Sequence, residues 1–375
     1  MRSFKLPYRS TLQVALLIGI WYIGTLIQVA LSLPISGGVV GLTLLLISLL
    51  AGVFKLDWIK SGSDLLLAEL LLFFIPCIIG LIKYKHLFLT QGWQLVLSIV
   101  LGTICVMTCT AYCVFLGFKL EAKFQKKPKQ SHQLKSHILG MIMHIHFVAL
   151  ICFIGTILAY LWGKKFYQKH PYVLLSPAVF IPCLIILCLV FFNIQYDNYM
   201  YYSKWLVWML GPATVAFAIP IYEYRKVIQQ HAFSIALGII VGMLVGVVSS
   251  FYLARLFHFD AVTSYSLMSR SISTPFAMEV TQAVGGSVEL VILFTVITGI
   301  VGGLLANSVL LVLKLDSKFA QGASLGSAAH GFGTSTAFRR HKEEGVAACL
   351  SMVLAGIFMV LFGPSLIHAV VYLLG

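Results

Sequence analysis

Three stretches of this apolar 375-residue chain carry side chains whose types and spacing could bind a small anion. The most suggestive reads Ser269-Arg270-Ser271-Ile272-Ser273-Thr274-Pro275-Phe276-Ala277-Met278-Glu279. Pro275 fits the first turn of a helix, with Thr274 as its N-cap. Arg270 and the neighbouring hydroxyls then approach the positive end of that helix. Unpaired N–H groups, the helix dipole and a guanidinium all favour a carboxylate there. An arginine at membrane depth costs ~3 kcal/mol or more, which makes it a functional candidate by default. The alternative is an arginine that snorkels to the interface from a loop.

A second stretch runs from Ser324 to Thr336, with His330 among Gly326, Gly331 and Gly333 and close to Thr334. Glycine lets a backbone approach a ligand closely, and histidine can donate to a carboxylate or change protonation near neutral pH. A plain interhelical hydrogen bond is the competing reading. The third stretch, Gly211 to Pro220, places two prolines and a glycine around Thr214. Its backbone must leave carbonyls without their usual donors, to be satisfied by neighbouring helices, water or a ligand. A kinked helix with a packing role is the alternative there.

Other chemistries find less footing. No Ser-His-Asp order, metal-ligand cluster or phosphate loop stands out, so neither catalytic residues nor a metal or cofactor are expected, and the chain does not read as an enzyme. His144 and His146 would point to different sides of a helix. The eight cysteines lie mainly in apolar runs, without a C-x-x-C pair. Cys105, Cys109 and Cys113 share one helix face by spacing, which reads as small residues at a helix contact with free thiols.

The elements that must position these residues follow from composition. The chain is 60% hydrophobic and 10% charged, far from the quarter or so of charged residues in a soluble domain. Apolar runs of about 20 residues recur, each long enough to cross a bilayer. The chain is expected to be an all-α polytopic membrane protein. Its net charge of +14 comes from short basic loops such as Lys164-Lys165 and Arg225-Lys226. These suit anionic headgroups and topology setting, and nucleic acid is set aside. The basic N-terminus leads into an apolar stretch that reads as an uncleaved first span.

Spans are expected over about 11–33, 39–54, 65–82 and 93–118, forming a four-helix unit over residues 1–118. Residues 119–137, with six lysines and a proline, suit a solvated linker. A second unit over 138–375 has apolar runs near 138–162, 173–192, 202–222, 232–257, 288–313 and 346–374. Ser269 to Gly286 and Gly322 to Phe338 are too polar for simple spans. Interrupted segments of this kind occur where transporters line a cavity. The basic stretches after Pro220 and after Thr336, each followed by a long closing helix, suggest internal repeats. Positive-inside counting does not settle orientation, because the linker and the loops at Lys83 and Lys164 disagree.

The first unit resembles the LrgA/CidA holin-like family through Leu33-Pro34-Ile35-Ser36-Gly37-Gly38-Val39-Val40-Gly41 and Glu69-Leu70-Leu71-Leu72-Phe73-Phe74-Ile75-Pro76, followed by Gly80. Ser36 stands where that family usually has a second proline. The second unit resembles the LrgB/CidB family through Gly211–Pro220, Ser271–Glu279, Ala329–Thr334 and Glu343-Glu344-Gly345. Arg270 stands where that family often has lysine, which keeps the charge and changes the geometry. The fused arrangement is similar to plastidial glycolate/glycerate translocators of plants.

The resemblance implies a carrier of small monocarboxylates such as glycolate, glycerate, pyruvate or lactate. The alternative that it leaves is a holin-like protein that modulates murein hydrolases and lysis. Such an acid needs a charge partner and a few donors, which Arg270, Ser273, Thr274, Thr214, His330, Gly331, Gly333 and Thr334 could supply. Glu279 is the candidate for proton coupling, since a membrane carboxyl can release and rebind a proton. An ordinary salt bridge is its competing role. The expected partners are the monocarboxylate anion, protons, the lipid bilayer of a bacterial inner membrane and a second copy of the chain in a homodimer.

Overall fold

A computed structural model describes residues 8–33, 35–121, 147–169 and 177–375. All regular elements among these are helical, and seven helical stretches are long and apolar enough to cross a membrane. The protein is an all-α, multi-pass membrane protein. The expected linker at 119–137 and the His144–His146 pair lie almost wholly or wholly outside the described residues.

In chain order the helices are α1 (Tyr8–Ala30), α2 (Gly37–Leu50), α3 (Lys60–Ala68), α4 (Leu70–Ile79), α5 (Lys85–Glu121) and α6 (Phe147–Lys169). There follow α7 (Pro177–Phe191), α8 (Tyr196–Trp208), α9 (Leu210–Ala216), α10 (Ala218–Glu223) and α11 (Arg225–Gln230). The chain ends with α12 (Ala232–Leu256), α13 (Ala261–Met268), α14 (Thr274–Ala283), α15 (Val288–Leu313), α16 (Lys318–Arg340) and α17 (Lys342–Leu374). Packing sorts them into two compact units, one of the described residues up to 85 with those of 147–219, the other of 86–121 with 220–375. The helix from the fourth expected span, α5, thus packs with the C-terminal helices, while α6 to α9 pack with α1 to α4.

In the first unit glycine brings backbones together. Gly24 of α1 lies against the backbone of Gly37 and Gly41 of α2, where a Cβ has no room. Ser36 caps α2 by accepting from the Val39 N–H at 3.4 Å, a reason for a hydroxyl rather than proline at that position. The Pro220 ring carries no N–H, so the Ala216 carbonyl loses its helical donor. Ser63 of α3 replaces that donor, its hydroxyl 3.0 Å from the Ala216 oxygen. The Ala216 carbonyl freed by Pro220 is therefore satisfied by a neighbouring helix. Thr214 donates to the Leu210 carbonyl at 2.8 Å and packs against Gly38. Glu69, between α3 and α4, accepts from the Tyr160 hydroxyl at 3.0 Å and from Lys164 Nζ at 2.6 Å, both on α6.

In the second unit α12 turns Gly238, Gly242 and Gly246 toward Val114, Thr110 and Ser271. Small residues at this spacing make a smooth face for close helix contact. The contact face of α5 therefore includes Gly102, Val106, Thr110 and Val114. The cysteine face expected to make the contact does not: Cys105 is exposed and Cys109 and Cys113 are half-buried. Small size alone does not distinguish a lipid-facing position from a packed one. Gly322 and Gly326 of α16 rest on the backbone of Glu344 and Ala348 of α17, and an alanine-rich core including Ala328, Ala337 and Ala348 fills in around them.

Candidate functional site

Both polar stretches of the C-terminal part become interrupted helices within the second unit. α13 is capped at its start by Asp260, whose carboxylate accepts from the Thr263 N–H at 2.8 Å, and at its end by Ser269. Residues 269–273 are not helical, and α14 restarts with Pro275 in its first turn. Proline fits there because its missing N–H would be unpaired in any case. The cap is Ser273 rather than the expected Thr274, which is the first helical residue. The Ser273 side chain makes no capping bond. Thr274 is drawn sideways instead, 3.0 Å from the Thr295 hydroxyl of α15. Thr295 gives its single proton to the Ile292 carbonyl at 2.8 Å, so Thr274 is the donor between the two.

Arg270 lies in the break between α13 and α14 and is 0% exposed. Its Nη1 donates to Thr298 Oγ1 of α15 at 3.1 Å and to Thr103 Oγ1 of α5 at 3.4 Å. Thr103 in turn gives its own proton to the Ile99 carbonyl at 2.6 Å, which leaves its oxygen lone pairs for the guanidinium. Nε and Nη2 are buried without a partner. No carboxylate pairs with Arg270 among the described residues.

The second interruption is at His330, where α16 kinks with φ 49° and ψ −127°. That conformation strains any residue with a Cβ by about 1–3 kcal/mol. Gly299 and Gly302 of α15 make room for it by accepting Phe332 and Ala329. Nε2 of His330 lies 3.3 Å from the Arg270 carbonyl. A carbonyl only accepts, so Nε2 carries the proton, and Nδ1 of the neutral ring is an acceptor. Nδ1 is buried without a partner. The two breaks therefore touch, bringing unpaired guanidinium donors and an unpaired imidazole acceptor into one neighbourhood. Because glycine alone adopts the His330 dihedrals freely, His330→Gly is expected to be more stable than His330→Ala by about 1 kcal/mol. Thermal melting of the two variants in detergent checks the difference.

The other expected residues have surroundings of their own. Gly331 is exposed with open space where a Cβ would stand, whereas Gly333 is pressed onto the Leu325 carbonyl and serves packing. The Thr334 hydroxyl points to Met352 Sδ of α17 at 3.8 Å. Thr214 belongs to the first unit, and Glu279 is half-buried on α14, about 7.5 Å along the axis from Thr274. Residues that sequence reasoning passed over include Gly102, Thr103, Thr295 and Thr298. It also missed the clamp on Arg340, which bonds Glu344, Asn307 and Gln321 at 2.6–2.7 Å.

Comparison with known proteins decides the family. Residues 156–369, more than half of the chain, match the LrgB-like family. The chain belongs to the LrgB-like family. Residues 21–114 match the LrgA family, so both families expected from the residues are found. The chain is 35% identical over 221 residues to the uncharacterized protein YwbG of Bacillus subtilis, covering 59% of this chain and 98% of that protein. It is 28% identical over 225 residues to the holin-like protein CidB of Staphylococcus aureus, covering 60% of this chain and 98% of that protein. No solved structure matches. The chain therefore joins an LrgA stretch to an LrgB-like stretch. Arg270, Thr295, Thr298 and His330 all fall in the LrgB-like stretch, while Gly102 and Thr103 fall in the LrgA stretch.

Proposed function

We propose that this LrgB-like protein is a secondary carrier of small monocarboxylates, working by alternating access in a bacterial inner membrane. One observation carries the reading: Arg270 is wholly buried, at a break between helices, with Nε and Nη2 unpaired. A buried charge without a counter-ion is strongly unfavourable, and a bound carboxylate supplies the missing partner. Two parallel N–H groups of one guanidinium match the two oxygens of a carboxylate. The lone pair on His330 Nδ1 then favours a 2-hydroxy acid, which can donate to it, over a 2-oxo acid, which cannot.

A holin-like modulator of murein hydrolases and lysis is the second reading, favoured by the name of the CidB relative. Such a protein needs no selective site. Uptake of labelled glycolate, glycerate, pyruvate and lactate into proteoliposomes, with and without an imposed pH gradient, separates the two. The carrier reading expects saturable uptake that the other small acids compete for, with glycolate ahead of pyruvate. Acceleration by an inward proton gradient would extend it to Glu279. The holin-like reading expects leakage of a small uncharged dye at a similar rate.

A further inference from the structure

We infer that the LrgA stretch of this chain is part of the anion site, through Gly102 and Thr103 of α5, which act as positioning residues for Arg270. This rests on the reading of Arg270 as the anion's charge partner. Within the second unit, a Cβ on Gly102 would collide with Nη2 of Arg270 and stand 3.3 Å from its Cζ. Ser249 Oγ of α12 reaches the same point at 3.5 Å. The next residue, Thr103, accepts from Nη1 at 3.4 Å while its proton is held by the Ile99 carbonyl. Gly102 thus gives the guanidinium its room and Thr103 fixes one of its nitrogens, so that Nε and Nη2 are the two left for a ligand. On this account the LrgA stretch does more than scaffold the LrgB-like one. It shapes the wall on which the charge rests.

Lysine lacks the Nη2 atom that Gly102 accommodates, which permits a test on the full-length chain. The proteins are wild type, Gly102→Ala, Arg270→Lys and the double variant, each measured for glycolate uptake in proteoliposomes and for melting temperature in detergent. Gly102→Ala is expected to raise the KM for glycolate tenfold or more, with kcat within about threefold. In the Arg270→Lys background the same change is expected to cost less than twofold, because the colliding Nη2 atom is gone and Ser249 Oγ, at 3.5 Å, is in ordinary contact with the added methyl. Additivity is the rule for residues that do not touch. Equal effects in the two backgrounds would therefore overturn the inference.

Thr103→Val, which keeps shape and removes the acceptor, guards against a misfolded alanine variant. It is expected to raise the KM several-fold, and an unchanged KM would count against the inference. Cys105→Ser, on the exposed side of α5, is the control expected to match wild type. If wild type shows no saturable uptake, the carrier reading fails by itself. The melting-temperature cycle then still decides the contact: coupling between Gly102 and Arg270 upholds the positioning role, and additivity ends it.

Discussion

Replacing Arg270 with methionine is expected to abolish saturable uptake and, at the same time, to make the protein more stable. The two effects have one cause. In the ligand-free protein the guanidinium is desolvated with only two neutral hydroxyls as partners, so an apolar side chain of similar length relieves an unfavourable charge. Replacing buried charged groups by well-packed apolar ones stabilises proteins by about 1–4 kcal/mol, and a rise in this range is expected on melting in detergent. The bound anion meanwhile loses its counter-charge. Breaking a buried pair costs about 3–5 kcal/mol, which is more than a hundredfold in affinity. Arg270→Lys keeps the charge but not the fork, and is expected to fall between. A purely structural arginine would give the opposite sign in the melt, with stability falling and uptake falling only in proportion to folded protein.

The second large effect is expected at Gly326. A side chain there falls on the backbone of Ala348 of α17. Backbone cannot move aside as the tip of a side chain can, so the two helices must separate. Gly326→Leu is expected to lower stability by about 3 kcal/mol or more, at the severe end for overpacking, and to reduce folded protein recovered from membranes. Gly331, five residues on, makes the contrast. A Cβ there meets nothing within 4 Å, so Gly331→Ala is expected to change stability by no more than about 0.5 kcal/mol. Equal melting temperatures for the two variants would mean that the α16–α17 contact is misplaced.

This contrast shows what the sequence could reveal. The apolar runs announced an all-α membrane protein, because nothing else accounts for so few charges. Arg270 and His330 stood out because polar groups in such a setting are costly. The glycines around His330 all looked alike, yet they do different work. Gly326 and Gly333 admit backbone, and Gly331 faces open space. Only packing partners distinguish these roles, and periodicity does not name partners.

Thr103, Thr295 and Thr298 were invisible for a related reason. A threonine in an apolar helix by default bonds a carbonyl of its own preceding turn, as Thr103 and Thr295 do, so its type carries no signal. Their oxygens matter because Arg270 and Thr274 come to them from other segments. For the Gly211–Pro220 stretch the sequence left open which partner takes up the freed backbone. Its prolines do free a carbonyl, but Ser63, some 150 residues away in sequence, takes it up. The cap at Ser273 instead of Thr274 followed from the hydroxyl of Thr295, again distant in sequence.

The most direct test of the central claim is counterflow. Proteoliposomes holding full-length protein would be loaded with unlabelled glycolate and diluted into a trace of labelled glycolate. A carrier with one site that faces each side in turn is expected to accumulate label transiently above the outside concentration, and Arg270→Met is expected to show no such overshoot. Label that merely equilibrates through the wild type, at the rate of a small uncharged dye, would contradict the account.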